Sequence, residues 1–321
     1  GVALAEECCE LVGKALGIAA EDVLPSSTGV IGQPMVIDPF ARGIPAVAAK
    51  LAADAQGSTD AATAIMTTDT VRKESAYELE LSSGTIRIGA MAKGSGMIHP
   101  NMATMLVFIT TDCAISPAML QKALSTDIAN TFNMVSVDGD TSTNDMVTVL
   151  ANGLAGNAEI TEEGADFTAF MQALNTVTVY LCRCIAGDGE GATKLLECKV
   201  SGAETLDIAK TVAKSVICSS LTKAAMFGAD ANWGRVLCAI GYSGAQFDPK
   251  DVEVKFLSRA GELLVCAGGQ GVAFDEALAK RVLSEDEVVI QVTLTSGSAT
   301  CSCWGCDLTY DYVKINGDYR S

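Results

Sequence analysis

The chain carries one histidine, His99, among its 321 residues, so any mechanism with an imidazole general base must use that one. No second histidine and no obvious orienting carboxylate stand near it in sequence, which disfavours a Ser-His-Asp triad. Positive charge is scarce as well. Lys and Arg number 22 against 39 Asp and Glu, which leaves a net charge of −17, and no basic cluster offers a local exception. Such a surface repels a phosphate backbone and excludes nucleic acid as a partner. No apolar run reaches the roughly 18 residues of a membrane-spanning helix, and the first residues lack the charged-then-apolar layout of a signal peptide. The sequence is therefore expected to be soluble and not membrane-bound. It starts at Gly1 and enters an amphipathic helix directly, so an upstream piece, with any targeting information, is expected to precede it.

Several ligand motifs are also absent. The loop GDGEGATK (187–194) has neither the G-x-G-x-x-G spacing nor a Gly-Lys-Ser/Thr ending, which argues against nucleotide cradling. In VDGDTSTND, Asp138, Asp140, Ser142 and Asn144 alternate as in a calcium loop, but Thr143 replaces the glycine and Val149 the closing glutamate. A capped turn rich in acceptors is the expected structure there. The twelve cysteines are scattered, and the densest set (Cys301, Cys303, Cys306) is one ligand short of a structural zinc site. Buried free thiols are expected, and no metal.

With 49% hydrophobic and 19% charged residues, the chain is far from the composition of disordered proteins and should bury a sizeable core. Its length suits one large domain or two closely packed ones. The expected fold class is α/β, a layered sheet-and-helix body over residues 1–196 followed by a smaller α/β domain over 197–321. Helical spacing predicts a helix over 3–16 stopped by Gly17, and another over 44–55 with Pro45 in its first turn. Turn formers over 26–34 predict an irregular loop that can present bare amides. Strands are expected over 64–70, 77–91, 105–111 and 176–187, with further pieces at 133–137 and 145–151. Ser116 is placed to cap a helix over 117–131, a second helix is expected over 206–226, and short strands should run to the end.

One threonine stands out chemically. Thr104 follows the glycine-rich approach KGSGMIHPNMA and opens the apolar strand MLVFITT. Without a triad, what remains is a nucleophile that supplies its own base. An N-terminal threonine does this, because its α-amine titrates near 8. That requires cleavage before Thr104, which its hydroxyl could begin by attacking the Ala103 carbonyl in an N-to-O acyl shift. By residue type alone, the competing reading is an ordinary strand threonine.

The segment KGSGMIHPNMATML (93–106) resembles the self-cleavage motif of the ornithine acetyltransferase family, the bifunctional glutamate N-acetyltransferases. SSTGVIGQPM (26–35), MTTDT (66–70), SVDGDTSTNDMV (136–147), GDGEGATK, GADANWGRVL (228–237) and WGCDLTYDYVKINGDYRS (304–321) resemble further family motifs in family order. The resemblance implies the layered fold shared with related self-processing aminopeptidases. It also implies cleavage between Ala103 and Thr104 into an α chain (1–103) and a β chain (104–321) that stay associated, as an α2β2 heterotetramer. Thr104 becomes the nucleophile, with Thr28 and Gly29 as the oxyanion hole, where one donor is worth about 10²-fold to 10³-fold in rate. Thr70, Lys93, Thr104, Glu190, Asn316 and Ser321 fall on the substrate-binding positions. In that scheme Lys93 pairs a substrate carboxylate and Glu190 meets a substrate amino group.

By the same resemblance, N-acetylornithine donates an acetyl group to Thr104, ornithine leaves, and glutamate collects the acetyl in a ping-pong cycle of arginine biosynthesis. No cofactor is implied, and the motifs leave open whether acetyl-CoA is a second donor. The compartment expected is the cytoplasm for a bacterial source and the mitochondrion or plastid for a eukaryotic one. Two readings compete with this one: a related self-processing hydrolase that passes its acyl group to water, and an uncleaved non-catalytic relative. Two departures stand out. Family members carry a further N-terminal segment before the counterpart of Gly1, and they commonly end in threonine where this chain has Ser321.

Overall fold

The computed structural model describes residues 1–100 and 104–318. They form two compact units, Gly1–Ile65 with Asp318, and Met66–Gly317.

In the first unit, helix α1 (Val2–Leu16) stops where expected, at Gly17, whose φ of 72° only glycine adopts without strain. Residues 23–30 have no regular structure, in keeping with the expected loop. Helix α2 (Asp38–Ala48) begins six residues before the expected 44–55 helix, because Pro39 takes the first-turn position and Pro45 lies inside. Helix α3 (Ala55–Ala64) is capped by Asp54, whose carboxylate accepts the Gly57 amide at 2.7 Å. The strand expected over 64–70 is absent: α3 ends at Ala64, and 65–70 are turns, bends and irregular backbone.

The second unit opens with β1 (Lys73–Leu81) and β2 (Gly84–Lys93). The single strand expected over 77–91 is thus a hairpin, folded at Ser82-Ser83 with Gly84 at a φ of 146°. Then come β3 (Leu106–Thr111), α4 (Pro117–Ile128), β4 (Val135–Ser136), β5 (Met146–Ala151) and α5 (Ala165–Gly187). Ser116 caps α4 as expected, accepting the Met119 amide. The chain continues through β6 (Leu195–Ala203), α6 (Leu206–Cys218), α7 (Ser220–Phe227) and α8 (Trp233–Gly241). It ends with β7 (Glu253–Ser258), β8 (Gly261–Ala267), β9 (Gln270–Gly271), α9 (Glu276–Leu283), β10 (Glu287–Thr293), β11 (Ala299–Cys306) and α10 (Tyr310–Asp318). The two last helices break the expected run of strands, and Ser219 splits the expected 206–226 helix by capping α7.

Four strands form one sheet in the order β1-β2-β3-β5, and seven form another, β4-β11-β6-β10-β7-β8-β9. Helix α5 packs against β1 and β2 of the first and β4, β6 and β11 of the second, so it is the layer between them. Its C-terminal half was expected to be a strand because Thr176-Val-Thr-Val is β-branched. The stripe that decides is Leu174, Val177, Thr178, Leu181, Cys182 and Ile185, each at most 1% exposed and at helical spacing. The expected domain boundary at 196/197 falls inside β6, and β4 from the first half pairs with β11 from the second. The shared sheet joins the two halves, and the compact units divide at Ile65/Met66 instead.

Candidate active site

Thr104 lies at the mouth of β3, between the end of β2 and the start of β5. Lys93 is the register partner of Leu106 in the antiparallel β2–β3 ladder, and Leu106 that of Met146 in the parallel β3–β5 ladder. The Thr104 hydroxyl oxygen is buried without a hydrogen-bond partner among the described residues. Buried hydroxyls usually find one; Thr222 and Ser26 share this state, and Thr104 differs in lying beside the unpartnered oxygen of Asp145. Next to it, the Met105 amide donates to Asp145 Oδ1 at 2.6 Å, while the other oxygen of Asp145 is also buried and unpartnered. Burial pushes the Asp145 carboxyl up to about 6 against the pull of the Met105 amide.

Beneath Lys93 lies a buried charge network. Lys73 is 1% exposed and its ammonium bridges Asp69 at 2.7 Å and Asp188 at 2.5 Å. Asp69 also accepts the Gly94 and Thr67 amides, and these bonds with Lys73 outweigh burial and hold its carboxyl below the ordinary value. The Lys93 ammonium, 3% exposed, stands 3.9 Å from Asp69. Burial, aided by Lys73, lowers its pKa against Asp69 and Glu190. Asp188 accepts both the amide and the hydroxyl of Thr70, which fixes that exposed side chain.

Glu190 completes this corner. Its amide donates to the Ser95 carbonyl at 3.0 Å, and its carboxylate accepts from Asn316 Nδ2 at 2.7 Å. Gly96 permits the arrangement, since a Cβ there would come within 2.3 Å of the Glu190 carboxylate. The loop ahead of Thr104 is pinned by Asp138, which accepts the amides of Met97 at 2.7 Å and Ile98 at 3.0 Å and the Tyr312 hydroxyl at 3.3 Å. Met97 pays for this with a φ of 55°. The VDGDTSTND turn is thus rich in acceptors, as expected. His99 pairs its Nδ1 with Ser136 Oγ at 3.0 Å, and burial and Lys214 lower its pKa, so the imidazole is neutral at pH 7.

The second unit therefore contains Thr70, Lys93, Thr104, Glu190 and Asn316, with Glu190 and Asn316 in direct contact. Thr28 and Gly29 belong to the first unit, in the irregular stretch after α1. Ala103 and Ser321 lie outside the described residues. Sequence reasoning missed Asp69, Lys73, Asp145 and Asp188. Three of them sit inside segments already singled out, MTTDT, SVDGDTSTNDMV and GDGEGATK, but their partners lie as far as 118 residues away in sequence.

The sequence pattern of the ArgJ family matches residues 1–321. The chain is 56% identical over all of its length to the arginine biosynthesis bifunctional protein ArgJ of Symbiobacterium thermophilum, of which it covers 78%. It is 45% identical to the chloroplastic protein of the same description from Ostreococcus lucimarinus, of which it covers 71%. Among solved structures, that of the arginine biosynthesis bifunctional protein ArgJ of Bacillus halodurans superposes with a TM-score of 0.62 at 45% identity, over 67% of this chain and 98% of that one. No helix among the described residues is long and apolar enough to cross a membrane.

Proposed function

The chain belongs to the ArgJ family, and from that premise we propose that it is the acetyltransferase of arginine biosynthesis that moves an acetyl group from N-acetylornithine to glutamate through Thr104. The observation that carries the reading is the buried, unpartnered Thr104 hydroxyl at the mouth of β3. In the first step this oxygen attacks the Ala103 carbonyl carbon, the Ala103–Thr104 C–N bond breaks, and the hydroxyl proton passes to the Thr104 nitrogen. Water then hydrolyses the ester, leaving an Ala103 carboxylate and a free Thr104 with an α-amine. That amine takes the hydroxyl proton when Thr104 attacks the acetyl donor and returns it to the leaving ornithine amine. Glutamate's amine then attacks acetyl-Thr104 and closes the ping-pong cycle. Thr28 and Gly29 supply the oxyanion hole in this scheme.

The substrate's α-carboxylate pairs with Lys93 and its α-amine, or amide nitrogen, meets Glu190. Asn316, Thr70 and Ser321 complete the amino-acid site. Asp69 and Asp188 keep Lys93 and Thr70 in place, each held in turn by Lys73. Cleavage leaves β2 on the α chain and β3 on the β chain, still joined by a ladder from Ile88↔Thr111 to Lys93↔Leu106, which supports lasting association of the fragments. Two such αβ pairs form the α2β2 enzyme.

The test is a radiolabel assay with acetyl-labelled N-acetylornithine. Transfer to glutamate should exceed release as free acetate by orders of magnitude, and Thr104→Ala should abolish it. Predominant hydrolysis would instead support the aminopeptidase-like reading. The same assay with labelled acetyl-CoA decides whether it is a second donor.

A further inference from the structure

The reading above needs a group to orient the α-amine that cleavage creates, and the head of β5 offers one. Met105 is clamped to Asp145-Met146 on both backbone groups: its amide donates to Asp145 Oδ1 at 2.6 Å, and its carbonyl accepts the Met146 amide at 2.8 Å. Asp145 is thereby fixed beside the residue that follows the nucleophile. Its second oxygen is a buried acceptor without a donor, and the Thr104 hydroxyl one residue away is equally unpartnered. Two orphan polar atoms on adjoining segments are uncommon in a folded chain. Pro100, Met105, Phe132, Asp145 and Met146 line a cavity of about 220 Å³ at this end of the sheet. Backbone bond lengths put the Thr104 nitrogen roughly 3–4 Å from the Met105 nitrogen that Asp145 holds.

We propose that Asp145 is a positioning residue for the processed nucleophile, its free oxygen accepting a hydrogen bond from the Thr104 α-amine and aiming the amine's lone pair at the Thr104 hydroxyl. The inference rests on Thr104 being the N-terminal nucleophile. In the uncleaved chain the Thr104 nitrogen is a peptide amide and cannot act as a base, so Asp145 acts only after processing. The raised carboxyl pKa fits a group whose charged form still lacks its partner. Other charged and titratable groups facing this end of the sheet are Lys93 on β2, Asp69 and Glu190 beside it, and His99 in the preceding loop, with Lys214 and Asp140 around the imidazole. All are retained in the variants below.

Asp145→Asn tests this, because an amide offers one acceptor oxygen for two donors, the Met105 N–H and the α-amine. Wild type must first be shown to be cleaved at Ala103/Thr104. If it is not, the reading of Thr104 fails and takes the inference with it. In cleaved Asp145→Asn, kcat should fall about 10-fold with KM for N-acetylornithine within about twofold, the pattern of a lost transition-state interaction. Removing the carboxylate also lowers the amine's pKa, so the acid limb of the kcat profile should move down by about one pH unit. Unchanged kcat and profile, or a rise in KM alone, would overturn the role while leaving Thr104 as nucleophile. If Asp145→Asn stays uncleaved, Asp145→Glu is measured instead. It keeps the charge on a longer arm and should show the wild-type acid limb with reduced kcat, and a displaced limb would overturn the proposal.

Discussion

Gly96 and Glu190 make the sharpest residue-scale statement about the site, since one exists in its place only because the other has no side chain. A methyl at 96 would come within 2.3 Å of a carboxylate already tied to Asn316, and a 7% exposed Glu190 has little room to retreat. Gly96→Ala should therefore reduce kcat/KM for N-acetylornithine at least about 10-fold while the melting temperature shifts by only a few degrees. Steady-state kinetics beside a thermal scan checks this, and wild-type kinetics would remove Glu190 from the substrate site.

Asp145 also has a consequence for stability. Its folded pKa of about 6 lies above the unfolded value near 3.9, so between them the folded state holds a proton that the unfolded state has lost. Its contribution is present below about pH 4 and is lost as pH rises through 6. His99 works in the opposite sense, because its lowered pKa costs stability as pH falls below about 6.5. The Asp145 part is isolated by comparing uncleaved Thr104→Ala with Thr104→Ala/Asp145→Asn. Allowing for the half-buried position of Asp145, the double variant should gain about 1 kcal/mol relative to the single one between pH 4 and pH 7. Denaturant titrations at the two pH values measure it, and a constant difference would show that Asp145 is not desolvated.

Among the elements, α5 carries the architecture, and it is where sequence patterning gave way. The β-branched run Thr176-Val-Thr-Val favours a strand locally. A helix 23 residues long buries one stripe against both sheets and outweighs that preference. Leu181, fully buried on that stripe, should cost about 3 kcal/mol when replaced by Ala, measured by urea unfolding. A loss below about 1 kcal/mol would mean that α5 is not the packed middle layer. The hairpin of β1 and β2 was hidden for a different reason. Its turn, Ser82-Ser83-Gly84, interrupts an alternation that otherwise runs on unbroken from Tyr77. Motif-borne parts of the proposed site were nameable from the sequence, because Thr70, Lys93, Thr104 and Glu190 all lie in segments that resemble family motifs. Lys73 and the roles of Asp69, Asp145 and Asp188 were not, because a carboxylate's worth depends on which distant amide or ammonium the fold brings to it.

At the scale of the whole molecule, the proposed cleavage falls between two neighbouring strands of one sheet. The ladder of β2 and β3 and the apolar packing of α5 against β1 and β2 are untouched by the loss of one peptide bond. The fragments should therefore co-elute under native conditions at the mass of two αβ pairs and separate only on denaturation. Size-exclusion chromatography with light scattering checks this, and elution of free α chain would contradict it.

The central claim is that Thr104 is the nucleophile, freed by the chain itself. The direct test is the intact mass of purified protein under denaturing conditions, beside Thr104→Ala. Two fragments meeting at Ala103/Thr104 in the wild type and one full-length chain in the variant is the result predicted. An uncleaved wild type, or a variant cut at the same bond, would contradict it.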